Sequence, residues 1–534
     1  MYNDKNMIRH FLSCFETTVR QHWDVPALSD YDGTLSLTFG ELATEMLRLQ
    51  TLFEALGLQK GDKVAVCGGN CVNWAWSFLS VAAYEGVVVS ILPDFRSENI
   101  RGLVKHSDAR LLIVGQKVWD GLKRSVPDSL TAVLSLNDFG LLAAANADIK
   151  DTYSRWDSLF AQRCPGRLGP DDVHYPVDNL DNLCLINYTA GTTSDPKGVM
   201  LTYGNLSSNI QYGRDRIPLS SGCTVLSLLP LAHMFGLTFE FLYPVVSGAH
   251  AHFMSRTPSL PRLLKAFADV KPYMVISVPL IVEKIYKNTV SGRSVFARKK
   301  NRRRLMTAFG GRLEYLIIGG AALPEKTERG LRSIRFPYTV GYGMTECGPL
   351  ITYQDWRSFK KYSCGRVVDR MQLKVDSSWP RRIPGEILVR GANVMQGYYK
   401  NPTATKVVMT DDGWMRTGDM GIVDKKGNLF IKGCCKNMIL GTSGQNIYPE
   451  EIEEKLNAMP LVMESIVLQR QGRLIALVYP DYENSSMPLD ELMEQYRTRL
   501  NKELPYYSQI QKIELMSDEF EKTPKQNIRR YLYR

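Results

Sequence analysis

From about residue 60 onward, the apolar positions fall into short runs of two alternating textures. Residues 63–67 read KVAVC, a nearly continuous apolar run of strand length, as expected of a strand covered on both faces. Residues 73–84 are mostly apolar over three helical turns. Residues 87–91, VVVSI, return to a β-branched run. Residues 97–106 predict a helix with Glu98 in its first turn, and residues 111–114 predict a further strand. This strand–helix–strand–helix–strand order predicts a parallel α/β sheet. The texture resumes at 183–186, 225–228 and 315–318. Past about residue 385 it changes to short strands and turns, with a strand at 386–390 and a turn at Lys426-Gly427-Asn428. The last hundred residues predict a small, separate α+β unit, in which Pro449 opens an amphipathic helix over 449–456.

Composition narrows the class. The chain has 534 residues, 44% of them hydrophobic, and a net charge of +11, so it can bury several cores and is not disordered. That charge invites a nucleic-acid or membrane partner. However, seven positive charges lie in one stretch, RSVFARKKNRRR at 293–304, which has no acidic residue. Nucleic acid is therefore not expected. The stretch reads as a solvated surface segment or as a peripheral contact with an anionic membrane. The ten cysteines form no CxxC pair and no metal-ligand spacing with the seven histidines, which predicts reduced thiols and a cytoplasmic protein. The apolar stretch 74–93 is broken by Glu85-Gly86 and predicts a buried helix followed by a strand, not a membrane span.

The stretch most specific for chemistry is YTAGTTSDPKG at 188–198, directly after an apolar strand. It offers backbone N–H groups, the hydroxyls of Thr189, Thr192, Thr193 and Ser194, and the Lys197 ammonium, a combination suited to a polyphosphate. It is not a Walker loop: counted from Gly191, Pro196 stands where the second glycine belongs.

This loop resembles the YTSGTTGxPKG signature of the adenylate-forming superfamily, with Ala190 and Ser194 as its two departures. Further motifs follow in order over nearly the whole chain, most closely like those of bacterial long-chain fatty acyl-CoA synthetases. The resemblance implies that Thr189, Gly191, Thr192, Thr193 and Lys197 hold the β- and γ-phosphates of ATP. LPLAHMFG at 229–236 implies that His233 walls the substrate carboxylate. GGAAL at 319–323 implies that Gly320 and Ala321 let adenine approach the backbone. GYGMTE at 341–346 implies Tyr342 between Gly341 and Gly343 stacking on adenine, Thr345 on the α-phosphate and Glu346 on Mg²⁺. DDGWMRTGD at 411–419 implies Asp419 as ribose ligand, since a carboxylate accepts two hydroxyl bonds at once.

The same resemblance implies a large domain over 1–435, made of α/β subdomains with a small β-rich subdomain. It also implies a hinge at Lys436 and a small mobile α+β domain over 436–534. Gly444, in SGQNIYP at 443–449, would line the path of the coenzyme A pantetheine. Two positions depart from the family pattern. Cys434 replaces the hinge arginine that reaches the ribose, and Asn527 stands where the C-terminal catalytic lysine belongs, with Lys525 two residues earlier as its substitute.

The implied reaction joins a carboxylic acid, preferentially a medium- or long-chain fatty acid, to AMP and then to coenzyme A. An acyl carrier protein as acceptor and a non-catalytic nucleotide- or acyl-binding paralogue are the alternatives.

Overall fold

A computed structural model describes residues 8–31, 33, 35–123, 125–189, 196–255, 259–291, 295–434, 437, 439–440, 446–470, 472–485, 488–504, 508–522 and 528–533. The fold is mixed α/β, as the sequence pattern predicts.

The first sheet has eight strands, in the order Gly397–Tyr398, Lys197–Thr202, Leu183–Thr189, Val87–Ile91, Lys63–Cys67, Ala109–Val114, Ala132–Ser135 and Leu141–Ala144. Its centre is parallel, and the helix Val72–Ala83 that crosses over it is buried at every position. Both edges are antiparallel, which departs from an all-parallel expectation. At the functional edge the reason is length. Thr189 pairs with Lys197, and so short a loop can close a hairpin but cannot accommodate the dozen or more residues of a parallel crossover.

The second sheet has seven strands, in the order Tyr338–Val340, Tyr315–Ile318, Met274–Ser277, Thr224–Ser227, His250–Phe253, Pro26–Asp30 and Ser36–Thr38. One apolar cluster joins the two sheets, and a second lies around Phe267, Leu316 and Phe309. A four-stranded antiparallel sheet follows, formed by Met371–Asp376, Gly385–Gly391, Met415–Val423 and Leu429–Cys434.

The chain then builds a three-stranded sheet, Val462–Arg470, Arg473–Pro480 and Lys512–Leu515, with helices Pro449–Asn457 and Leu489–Glu503. Among the described residues, its two apolar clusters draw on none before Ile439. It touches the preceding part through Lys432 and Glu451, 3.2 Å apart, and through the Glu325 N–H, which donates to Glu454 Oε1 at 3.2 Å.

The basic run continues as the helix Val295–Ala308. Asn301 and Leu305, one turn apart, are buried and fix its inner side. Arg298, Lys299, Lys300, Arg302, Arg303 and Arg304 are exposed. No helix among the described residues is long and apolar enough to cross a membrane.

Candidate active site

Lys197 begins the strand Lys197–Thr202, and Thr202 then caps the following helix by accepting from the Asn205 N–H at 3.0 Å. The loop's exit is therefore held by a strand and a capped helix. The Lys197 ammonium stands 4.9 Å from the centre of the Tyr398 ring. The Tyr398 hydroxyl donates to Glu346 Oε1 at 2.9 Å. One aromatic ring thus links the predicted phosphate lysine to the predicted metal carboxylate. Burial and the neighbouring Glu346 charge push the Tyr398 phenol well above its ordinary range, so it stays a donor. No pattern in the sequence analysis singled out Tyr398. Its available signal was an aromatic pair placed after Gly397, whose φ of +146° favours glycine.

Glu346 lies in a tight helical turn with the buried Thr345. Among the described residues no group of three or more His, Cys, Asp or Glu could hold a metal. A single oriented carboxylate fits Mg²⁺, which usually keeps several waters and takes its remaining ligands from substrate phosphates.

A second cluster is formed by Tyr342 and Asp419, which come from different sheets. The Tyr342 hydroxyl donates to Asp419 Oδ2 at 2.7 Å, and the Asp419 N–H donates to Thr417 Oγ1 at 3.1 Å. Burial, opposed by the Tyr342 hydrogen bond and reinforced by the charges of Glu346, Glu450 and Glu386, raises the Asp419 carboxyl to about 6. Glu450 comes from the small C-terminal unit. It receives a hydrogen bond from the Asn437 side chain at 2.6 Å and stands over Gly433, where an added Cβ would lie 2.9 Å from its Oε2.

The glycines divide by need. Gly343 has no room for a side chain, since a Cβ would stand 2.1 Å from the Pro349 carbonyl oxygen. Gly320 has a φ of +83°, and Ala321 beside it is exposed. At Gly341 a Cβ would meet nothing closer than 3.4 Å. Gly319 packs under Phe235, and a Cβ there would come within 2.9 Å of the ring.

His233 is partly buried, and its Nδ1 accepts from the Phe235 N–H at 3.4 Å. Its segment is clamped by three side chains. Asn70 donates to the Leu229 carbonyl at 2.7 Å and accepts from the Leu231 N–H at 2.8 Å. Asn187 donates to the Ala232 carbonyl at 2.9 Å. Glu240 Oε2 accepts from Ser227 Oγ and from the N–H groups of Leu228 and Leu229, at 2.9–3.1 Å. Glu240 is fully buried, and burial lifts it to about 8 against those hydrogen bonds. In the sequence this clamp leaves one signal only, an acidic residue inside the apolar run LTFEFL at 237–242.

The structure thus brings Lys197 and Glu346 together through Tyr398, and Tyr342 together with Asp419. Thr189 stands opposite Lys197 in register. Gly191, Thr192, Thr193, Lys436, Gly444, Lys525 and Asn527 lie outside the described residues.

Residues 15–399 match the family described as AMP-binding enzyme. Among curated relatives, 4-coumarate–CoA ligase 2 of Oryza sativa subsp. japonica is 26% identical over 92% of this chain and 86% of its own. Long-chain-fatty-acid–CoA ligase FadD15 of Mycobacterium bovis is 28% identical over 81% of this chain and 75% of its own. Among solved structures, the anthranilate CoA ligase AuaEII in complex with anthranoyl-AMP superposes with a TM-score of 0.80 at 18% identity, covering 98% of this chain and 96% of that one. ATP-bound MatB from Rhodopseudomonas palustris gives 0.79 at 22% identity, covering 99% and 98%.

Proposed function

The chain belongs to the AMP-binding enzyme family, and from that premise we propose that it is an acid–CoA ligase whose acid is a medium- or long-chain fatty acid. Ligases of this class use ATP, Mg²⁺ and coenzyme A. In the proposed reaction the fatty carboxylate attacks the α-phosphorus of ATP and pyrophosphate leaves. The thiol of coenzyme A then loses its proton and attacks the acyl carbonyl, and AMP leaves.

The observation that carries the reading is the convergence of Lys197 and Glu346 on the Tyr398 ring, opposite Thr189. Adenylyl transfer needs mainly alignment and neutralisation of phosphate charge, and the reading is supported by a cation and a carboxylate held on one support. Lys197 and the threonines Thr189, Thr192 and Thr193 hold the β- and γ-phosphates. Glu346 holds Mg²⁺, which would neutralise phosphate oxygens when bound. Tyr398 orients the Glu346 carboxylate. Asp419 accepts from the ribose diol, with Tyr342 fixing one of its oxygens. Lys525 supplies the ammonium between carboxylate and α-phosphate. A small domain over 436–534 turns about Lys436, bringing the loop of Gly444 to the pantetheine. We place the reaction in the cytoplasm, where thiols stay reduced.

An apolar acid is supported by Phe235, stacked edge-on with Phe239 and covering Gly319, and by Val278 beside Gly320. Similarity to the long-chain-fatty-acid–CoA ligase supports a fatty chain. Equal similarity to a 4-coumarate–CoA ligase favours an aromatic acid as the second reading.

The test is acid-dependent AMP release with coenzyme A, across fatty acids of graded length and a set of aromatic acids. A maximum among C8–C18 fatty acids is expected. A maximum on an aromatic acid would transfer the assignment to the second reading. Release with an acyl carrier protein but not with coenzyme A would change the acceptor. ATP binding without pyrophosphate exchange in the presence of any of these acids would leave a non-catalytic nucleotide-binding protein.

A further inference from the structure

In the four-stranded antiparallel sheet, strands Met371–Asp376 and Gly385–Gly391 are joined by the loop SSWPRRIP at 377–384. The loop is tied at several points. Ser377 Oγ donates to the Ile383 carbonyl at 2.7 Å and accepts from the Trp379 N–H at 3.2 Å. The N–H groups of Arg382 and Ile383 both reach the Trp379 carbonyl at 2.8 Å, and the Pro380 carbonyl accepts from the Val423 N–H on a neighbouring strand at 3.0 Å. At the base, a Cβ on Gly385 would stand 2.0 Å from the Asp376 carbonyl oxygen. None of these contacts uses the side chains of Trp379, Arg381, Arg382 or Ile383.

Those four side chains are all exposed. The Ile383 N–H returns to the Trp379 carbonyl, so these two apolar residues close one turn of the loop. Trp379 is 61% and Ile383 49% exposed. The Arg382 guanidinium stands 5.8 Å from the Trp379 ring centre. No carboxylate occurs between Asp376 and Glu386, and Glu386 is engaged by Arg416. A single exposed apolar residue needs no explanation. A rigid tip that holds Trp beside Ile with two arginines has two properties a bilayer surface rewards together. Indole settles at the headgroup level, and guanidinium pairs bidentately with phosphate. A nucleic-acid backbone would use the arginines and leave Ile383 in water. Among the described side chains of the basic helix Val295–Ala308, Leu305 is buried and no apolar one is exposed.

We infer that loop 377–384 is a membrane-interfacial tip that docks the protein on anionic phospholipid, with Trp379 and Ile383 in the interfacial layer and Arg381 and Arg382 on lipid phosphates. The inference does not depend on which acid is activated, because its readout is binding.

The experiment is co-sedimentation of the full chain with vesicles of phosphatidylcholine alone and with 30% phosphatidylglycerol, at low and high salt. Three variants are compared: Arg381→Gln/Arg382→Gln, Trp379→Ser/Ile383→Ser, and Arg302→Gln/Arg303→Gln/Arg304→Gln. Wild type should bind the anionic vesicles and release in salt. The two-arginine variant should bind roughly 30-fold more weakly, on the scale expected for two basic residues at an anionic surface. The apolar variant should lose the salt-resistant fraction. Both tip variants should keep the wild-type unfolding midpoint, because the altered side chains are exposed. Three outcomes would overturn the inference: tip variants that bind like wild type; binding lost only in the basic-helix variant; or no wild-type binding with concentration-dependent self-association abolished by Trp379→Ser/Ile383→Ser, which would make the tip a contact between copies.

Discussion

Asp419→Asn tests whether the site is held at a cost in stability. The Asp419 carboxyl rises from 3.8 to about 6 in the folded protein because burial outweighs the Tyr342 hydrogen bond and nearby negative charges add to it. The folded state therefore binds this proton more tightly than the unfolded state does. Below the unfolded value there is no penalty. As pH rises through the interval up to about 6, stability is progressively lost, and above it the loss is constant. A displacement from 3.8 to about 6 corresponds to roughly 3 kcal/mol.

Asparagine removes the charge and keeps an oxygen for the Tyr342 hydroxyl. The Asp419→Asn protein should therefore exceed wild type by only about 1 kcal/mol near pH 4.5 and by about 3 kcal/mol at pH 7.5. The assay is urea unfolding followed by tryptophan fluorescence at several pH values. All eight tryptophans lie at or before Trp414, so the signal reports the large part of the chain alone. The same variant should bind ATP about 10- to 100-fold more weakly, the scale of a lost charged hydrogen bond. A stability difference that does not change between pH 4.5 and 7.5, or a wild type that gains on the variant as pH rises, would refute the reasoning.

Tyr398→Phe keeps the ring against Lys197 but removes the donor to Glu346; it should raise the Mg²⁺ concentration for half-maximal pyrophosphate exchange and cost about 1 kcal/mol in the unfolding midpoint. Gly343→Ala should abolish exchange, because a Cβ there meets the Pro349 carbonyl at 2.1 Å, whereas Gly341→Ala, with nothing closer than 3.4 Å, should retain most of it. Glu240→Gln should keep the His233 segment in place, whereas Glu240→Leu leaves the N–H groups of Leu228 and Leu229 without their acceptor and should raise the KM for the acid in steady-state kinetics. Lys525→Ala should abolish adenylate formation yet spare thioester formation from supplied acyl-AMP, and adding Asn527→Lys should restore the first step; unchanged exchange in Lys525→Ala would remove Lys525 from the mechanism.

The elements that were legible in the sequence are those whose pattern is local. The strands over residues 63–67, 87–91 and 315–318 and the helix Ser97–His106 fall at the predicted positions, because each is a dense apolar run or a clean helical period bounded by breakers. Pro26–Asp30 was not legible. It is a short strand that pairs in parallel with His250–Phe253, and nothing near it in sequence announces a partner more than two hundred residues away. The site divides in the same way. Lys197, Glu346 and Asp419 sit in motifs dense enough to recognise. Tyr398 and Glu240 act through partners that only the fold supplies, so their role could not be inferred from type or spacing. The family resemblance pointed to ATP and favoured a fatty acid, a preference that the relatives leave open because they include both fatty-acid and 4-coumarate ligases.

The pairing of Gly397–Tyr398 with Lys197–Thr202 has a consequence for the order in which the protein is made. The strand that begins at Lys197 emerges from the ribosome almost two hundred residues before the strand that covers it. At 5–20 residues per second, that leaves roughly 10–40 s in which its outer edge has no partner. An uncovered strand with Val199 and Leu201 facing inward is a template for mispairing. The Tyr398 ring that positions Lys197 and Glu346 arrives only with the covering strand. A nascent chain truncated before residue 397 can therefore bury most of the central sheet and still lack the arrangement around Tyr398 on which the proposed activity depends, so that activity is the last property the growing chain acquires and the first that a late truncation removes.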